Sequence, residues 1–186
     1  ANVAIAKKAA DGRARVALDV GPIGELMEPL GTLAFDEAYE IYAQMVRAGE
    51  QAGADLVIFE TMTDLYEVKA AVLAAREQSN LPIWVTMSFE ATGRTFTGTT
   101  VASMAATLEG LDVAAMGINC SLGPEEIFPL IEEMRKWTDK PLIVKPNAGL
   151  PDPATGGYDM DAAEFGRQMA KFPELGVSIL GGCCGT

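Results

Sequence analysis

Six short apolar runs, separated by stretches of helical periodicity, constrain the fold of this chain more than any other feature of its sequence. The strand candidates are Arg15–Val20, Asp55–Glu60, Pro82–Phe89, Val113–Cys120, Leu142–Pro146 and Val177–Leu180. Helical patterns lie near Phe35–Ala52, Leu65–Gln78, Val101–Glu109, Pro124–Trp137 and Asp161–Lys171, after a helical remnant at Ala1–Ala10. Asp64, Gly123-Pro124 and Asp159 mark helix starts, because a short polar side chain caps free backbone donors and proline is tolerated in the first turn. Runs such as Leu56-Val57-Ile58-Phe59 lack polar alternation, which predicts a parallel sheet covered by helices. Two α/β architectures remain, an open doubly wound sheet or a closed barrel. Gly21-Pro22-Ile23-Gly24-Glu25, after the first run, matches neither the dinucleotide fingerprint nor the P-loop.

With 186 residues and 49% hydrophobic content the chain can bury one substantial core, so residues 1–186 are expected to form one globular domain. A formal charge of −12 argues against nucleic-acid and anionic-membrane surfaces, which select basic patches. Small molecules and protein modules remain as partners. No apolar run reaches the roughly 18 residues of a membrane span, and no signal-peptide pattern opens the chain. Three cysteines do not make a secreted disulfide framework, and reduced thiols suit the cytoplasm, the expected location.

The placement of those cysteines carries the chemistry. One ends Met116-Gly117-Ile118-Asn119-Cys120, and two stand side by side in Gly181-Gly182-Cys183-Cys184-Gly185-Thr186. The chain has no histidine, so three thiolates are its only soft ligand set. A catalytic zinc needs three protein ligands and an open position. Inert buried thiols are the competing reading. A bond between Cys183 and Cys184 is disfavoured, since neighbouring Cα atoms lie about 3.8 Å apart and disulfides usually need about 4.4–6.8 Å.

These segments, together with Pro146-Asn147-Ala148-Gly149-Leu150-Pro151, Phe59-Glu60-Thr61 and Ser88-Phe89-Glu90-Ala91-Thr92-Gly93-Arg94-Thr95, closely resemble the homocysteine S-methyltransferase domain, particularly its cobalamin-dependent methionine synthase branch. The resemblance covers nearly the whole chain. It implies a (β/α)8 TIM barrel. Only six strands are visible, whereas such a barrel has eight in about 250 residues, so two N-terminal strands and the last helix are expected to be missing. The family's N-terminal Asp-Gly strand, which helps form the homocysteine pocket, has no counterpart. The missing strands would come from the parent chain or from another copy.

The resemblance further implies that Cys120, Cys183 and Cys184 bind Zn2+ and activate the homocysteine thiol for methyl transfer to give methionine. Glu60 would bind the substrate amino group, with Asn119 and Asn147 as further substrate contacts. Asn147 is also the candidate to occupy the open zinc position when substrate is absent. The methyl donor would be methylcobalamin on a corrinoid-binding domain or protein, since a chain without histidine lacks the Asp-x-His-x-x-Gly corrinoid signature. Betaine or S-methylmethionine is the alternative donor, and a non-catalytic zinc-binding fragment is the alternative of a different class. Gly181 and Gly182 are expected to bend the backbone so that both adjacent sulfurs face one ion. The irregular stretches 147–159 and 90–100 are read as surface turns or as loops over the site. The methionines, scattered over strands and helices, are read as core filling.

Overall fold

The computed structural model describes residues 2–152, 154–158 and 160–186. The order of elements is α1 (Asn2–Ala10), β1 (Ala17–Val20), α2 (Phe35–Gln51), β2 (Leu56–Met62), α3 (Leu65–Gln78), β3 (Ile83–Met87), α4 (Val101–Gly110), β4 (Ala115–Asn119), α5 (Pro124–Arg135), β5 (Leu142–Lys145), α6 (Ala162–Met169), a 3-10 turn (Phe172–Leu175) and β6 (Val177–Leu180). The strands follow chain order in one open, six-stranded sheet, β1-β2-β3-β4-β5-β6. This is the α/β alternation expected from the sequence. The chain divides within β3 into two compact units, residues 1–85 and 86–186.

In the first unit β1 and β2 pair in parallel, with Ala17 opposite Leu56 and Val20 opposite Phe59. Helix α2 buries Ala38, Tyr42, Ala43, Val46 and Gly49, a stripe at helical spacing, and packs on α3. The Tyr42 ring meets Phe59 edge-on at 5.5 Å. Its hydroxyl donates to the buried Glu67 carboxylate at 2.6 Å, and the Ile23 N–H donates to the same oxygen at 2.7 Å. A buried carboxylate is tolerated because it is hydrogen-bonded in this way. Asp64 caps α3 by accepting from the Tyr66 N–H at 2.8 Å, as the sequence predicts.

In the second unit β4, β5 and β6 run parallel, with Asn119 opposite Lys145 and Val144 opposite Leu180. All five residues of β4 are buried. Gly123 is the N-cap of α5 and Pro124 opens it, while Glu125 and Glu126 fall in its first turn, where negative charge is favoured. Helix α6 starts from Asp161, which accepts from the Glu164 N–H; Asp159, the expected start, lies outside the described residues, as does Ala1 of the N-terminal helical remnant. Met27, Met62, Met87, Met104, Met116, Met134 and Met169 are buried, whereas Met45 is exposed. No helix among the described residues is long and apolar enough to cross a membrane.

Three boundaries differ from expectation in ways that matter for the site. β2 continues to Met62, so Glu60 lies within the strand and not at its end. β4 stops at Asn119, leaving Cys120 in the turn, where Cys120 and Ser121 take consecutive positive φ values of 61° and 58°, a left-handed pair that breaks the extended backbone. β3 stops at Met87, two residues before Phe89.

Candidate metal centre

The site is assembled on the second unit around β5. Parallel pairing places the C-terminal ends of β4, β5 and β6 at the same edge of the sheet. The carbonyls of β5 and its extension then hold both cysteine segments. The Cys120 N–H donates to the Lys145 carbonyl at 3.0 Å, Gly181 N–H to Val144 at 3.0 Å, and Cys183 N–H to Pro146 at 2.8 Å. Sulfurs that are 63 or 64 residues apart in sequence are thereby brought together. The three Sγ atoms of Cys120, Cys183 and Cys184 all lie within 4.8 Å of one another, with Cys120 and Cys184 3.8 Å apart.

Local backbone conformation aims each sulfur. Cys120 and Ser121 are both left-handed, a cost of roughly 1–3 kcal/mol per residue, and the turn is closed by the Leu122 N–H donating to the Cys120 carbonyl at 2.7 Å. Such strain is a mark of functional segments. Neither Gly181 nor Gly182 takes a positive φ. Gly182 provides room: a β-carbon there would collide with the Thr186 side chain, whose hydroxyl donates to the Cys183 carbonyl at 2.8 Å. The left-handed residue of the motif is Gly185, at φ 82°.

The two asparagines both serve the cysteines. Asn119 is fully buried; its amide nitrogen lies 4.0 Å from Cys183 Sγ, a long contact even for a sulfur acceptor. Thr86 and Ser88 lock it in place, the Thr86 hydroxyl donating to Asn119 Oδ1 at 2.8 Å and the Ser88 hydroxyl to the Asn119 carbonyl at 2.9 Å. Buried Asn147 accepts the Cys184 backbone N–H on Oδ1 at 3.0 Å. An amide oxygen has a second lone pair, so this bond and metal ligation do not exclude each other. Glu60 is half-buried in β2 of the first unit, immediately before Thr61 at φ 61°.

Sequence reasoning missed Thr86, Tyr158 and the positioning work of Ser88. The available signal was two hydroxyl residues in the otherwise apolar Ile83-Trp84-Val85-Thr86-Met87-Ser88-Phe89, where a buried hydroxyl demands a partner. Tyr158 comes from the stretch 147–159, which the sequence left open between a surface turn and a loop over the site. Burial raises its phenol above the ordinary value, reinforced by the charge of Cys184 and a hydrogen bond to it.

The electrostatics of the cluster call for a cation. Burial pushes the Cys183 thiol up to about 12, assisted by its hydrogen bond with Cys120 and by the charges of Cys120 and Cys184. Three adjacent sulfurs cannot all ionise without a positive ion among them. With one, the thiolates become a tripod for a soft or borderline metal. The donor set fits zinc, and no other histidine, cysteine or carboxylate group of three among the described residues converges in this way.

A family model for homocysteine S-methyltransferase matches residues 1–186. The chain belongs to the homocysteine S-methyltransferase family. It is 34% identical over 175 residues to methionine synthase from Mycobacterium leprae and 32% identical over 197 residues to methionine synthase from Mycobacterium tuberculosis. These matches take in 90% and 98% of the chain but only 14% and 16% of those proteins. The fold resembles the homocysteine methyltransferase MmuM from Escherichia coli in its apo form, with a TM-score of 0.74 and 25% identity, over 98% of this chain and 62% of that one. The metallated form of MmuM matches with a TM-score of 0.69 and 25% identity, over 83% and 49% of the two chains. The methyltransferase family and the α/β barrel class expected from the motifs are thus borne out.

Proposed function

We propose that this chain catalyses zinc-dependent methyl transfer to the thiol of homocysteine, giving methionine, with the methyl group drawn from a methylcorrinoid carried on another domain or subunit. The observation that carries this reading is the convergence of Cys120, Cys183 and Cys184 in a chain of this family. Two methionine synthases among its relatives, and a homocysteine methyltransferase solved in a metallated form, support it. Most of each methionine synthase lies outside the match, which is consistent with a donor carried elsewhere. We read residues 1–186 as the larger part of one homocysteine-binding barrel domain, working in the reducing cytoplasm.

Bound at the three sulfurs, zinc would supply the Lewis-acid charge that keeps a substrate thiol deprotonated at neutral pH. Zinc with three thiolates carries a net charge of about −1, so a thiol entering the fourth position stays electron-rich. The chain does the rest. Cys120, Cys183 and Cys184 hold the ion, and Thr86 and Ser88 fix Asn119 beside Cys183. Glu60 takes the substrate ammonium group. Asn119 and Asn147, whose amides already touch the cysteine segment, complete the substrate pocket.

Homocysteine titration of the zinc-loaded protein, read by zinc X-ray absorption, tests the proposal. The sulfur count should rise from three to four, and an unchanged first shell would contradict it. The likeness to MmuM over 98% of the chain favours a second reading, in which betaine or S-methylmethionine is the donor. Turnover with either of those and no corrinoid protein would select it.

A further inference from the structure

Lys145 ends β5 between the two cysteine segments, and the register of the sheet fixes which way its side chain faces. Asn119 of β4 lies directly opposite it. Residues paired across parallel strands point to the same face of a sheet. The Asn119 amide nitrogen lies 4.0 Å from Cys183 Sγ, so that face is the one turned toward the sulfurs. On its other side Val144 stands opposite Leu180, which brings Gly181 level with Lys145.

The lysine stem runs over that glycine. A β-carbon at Gly181 would stand 3.0 Å from Lys145 Cγ and 3.6 Å from both Cδ and Cε. The missing side chain at Gly181 therefore leaves a channel for the stem, on the segment that reaches Cys183 two residues later. The Lys145 backbone belongs to the same assembly, its carbonyl accepting the Cys120 N–H at 3.0 Å. Lys145 is half-buried, with its stem packed on protein, the arrangement in which a lysine carries its charge to a defined place.

We infer that Lys145 is a specificity-determining residue of the metal centre, its ammonium receiving the carboxylate of the amino-acid thiol that enters the open position. This role rests on the homocysteine reading above. Zinc with three thiolates carries about −1, and an entering thiolate takes it to about −2. A carboxylate on the same small molecule adds negative charge beside that cluster, and a cation on the cluster's own face removes the repulsion. Lysine suits the task as a compact charge on a flexible stem. Packing alone would need only the stem, which methionine supplies equally well.

The test loads the protein and its Lys145→Met variant with cobalt(II) and titrates each with homocysteine and with 3-aminopropane-1-thiol, the same molecule without its carboxylate. Dissociation constants are read from the sulfur-to-cobalt charge-transfer band. The variant should bind homocysteine about ten-fold more weakly, the factor expected for one hydrogen bond between charged groups, and should bind the aminothiol as the unaltered protein does. Lys145→Arg, which keeps the charge, should keep the preference for homocysteine. Lys145→Gln takes the place of the methionine variant if that protein does not fold. An equal loss for both thiols, or a loss for neither, would overturn the role of Lys145 and leave the methyl-transfer reading standing. Failure of the unaltered cobalt protein to bind either thiol would overturn both.

Discussion

Asn147 Oδ1 accepts the backbone N–H of Cys184 at 3.0 Å, so the segment that follows β5 holds the cysteine pair that follows β6. Replacing Asn147 with alanine leaves that N–H without its partner. The expected loss is about 1–3 kcal/mol of stability, measured as a lowered denaturation midpoint in metal-depleted protein. The same variant tests whether Asn147 fills the open zinc position: X-ray absorption without substrate should show one fewer oxygen or nitrogen neighbour than in the parent.

Oxidation should follow the sulfur geometry. Cys120 and Cys184 stand 3.8 Å apart, and Cys184 is exposed, so mild oxidant should join these two and eject the metal, a disulfide sulfur being no thiolate ligand. Peptide mapping reads the pairing. A dominant Cys183 to Cys184 bond would show that the strain argument against neighbouring cysteines is wrong.

The Cys183 thiol, pushed from 9.0 up to about 12 chiefly by burial, gives metal-depleted protein a pH signature. Between those values the folded chain holds a proton that the unfolded chain has released. Stability therefore falls as pH rises through this window and is unaffected below it. Urea midpoints of metal-depleted protein should drop as pH rises from about 9 toward 12. Zinc, which binds the thiolate, should abolish that drop.

Glu60→Gln should weaken homocysteine binding by about 1.5–3 kcal/mol, the worth of a hydrogen bond between charged groups, and leave zinc content unchanged. Calorimetry with homocysteine, paired with metal analysis, separates the two effects. An unchanged dissociation constant would return Glu60 to a structural role.

The strand and helix succession was legible because its signal is local: a run such as Leu56-Val57-Ile58-Phe59 is apolar throughout, and Asp64 caps the helix that begins beside it. The three cysteines were legible for a different reason, since a chain with no histidine has few ways to hold a soft metal. What escaped depends on contacts between distant segments. Thr86 fixes Asn119 across 33 residues; a hydroxyl in an apolar run signals that it has a partner, and only the fold shows which. Cys120 was placed in a strand because the run 113–118 shortly before it is apolar, yet its left-handed backbone belongs to the turn. Gly181 and Gly182 were read as permitting a tight bend; the clearance that Gly182 also leaves for Thr186 is revealed only by the folded segment.

The central claim is that Cys120, Cys183 and Cys184 form a single zinc site, and metal analysis of the protein beside its three cysteine-to-alanine variants tests it most directly. The unaltered protein should hold one zinc per chain, with zinc–sulfur distances of about 2.3 Å, and each variant should lose stoichiometric metal. Full zinc retained in all three variants would contradict the assignment.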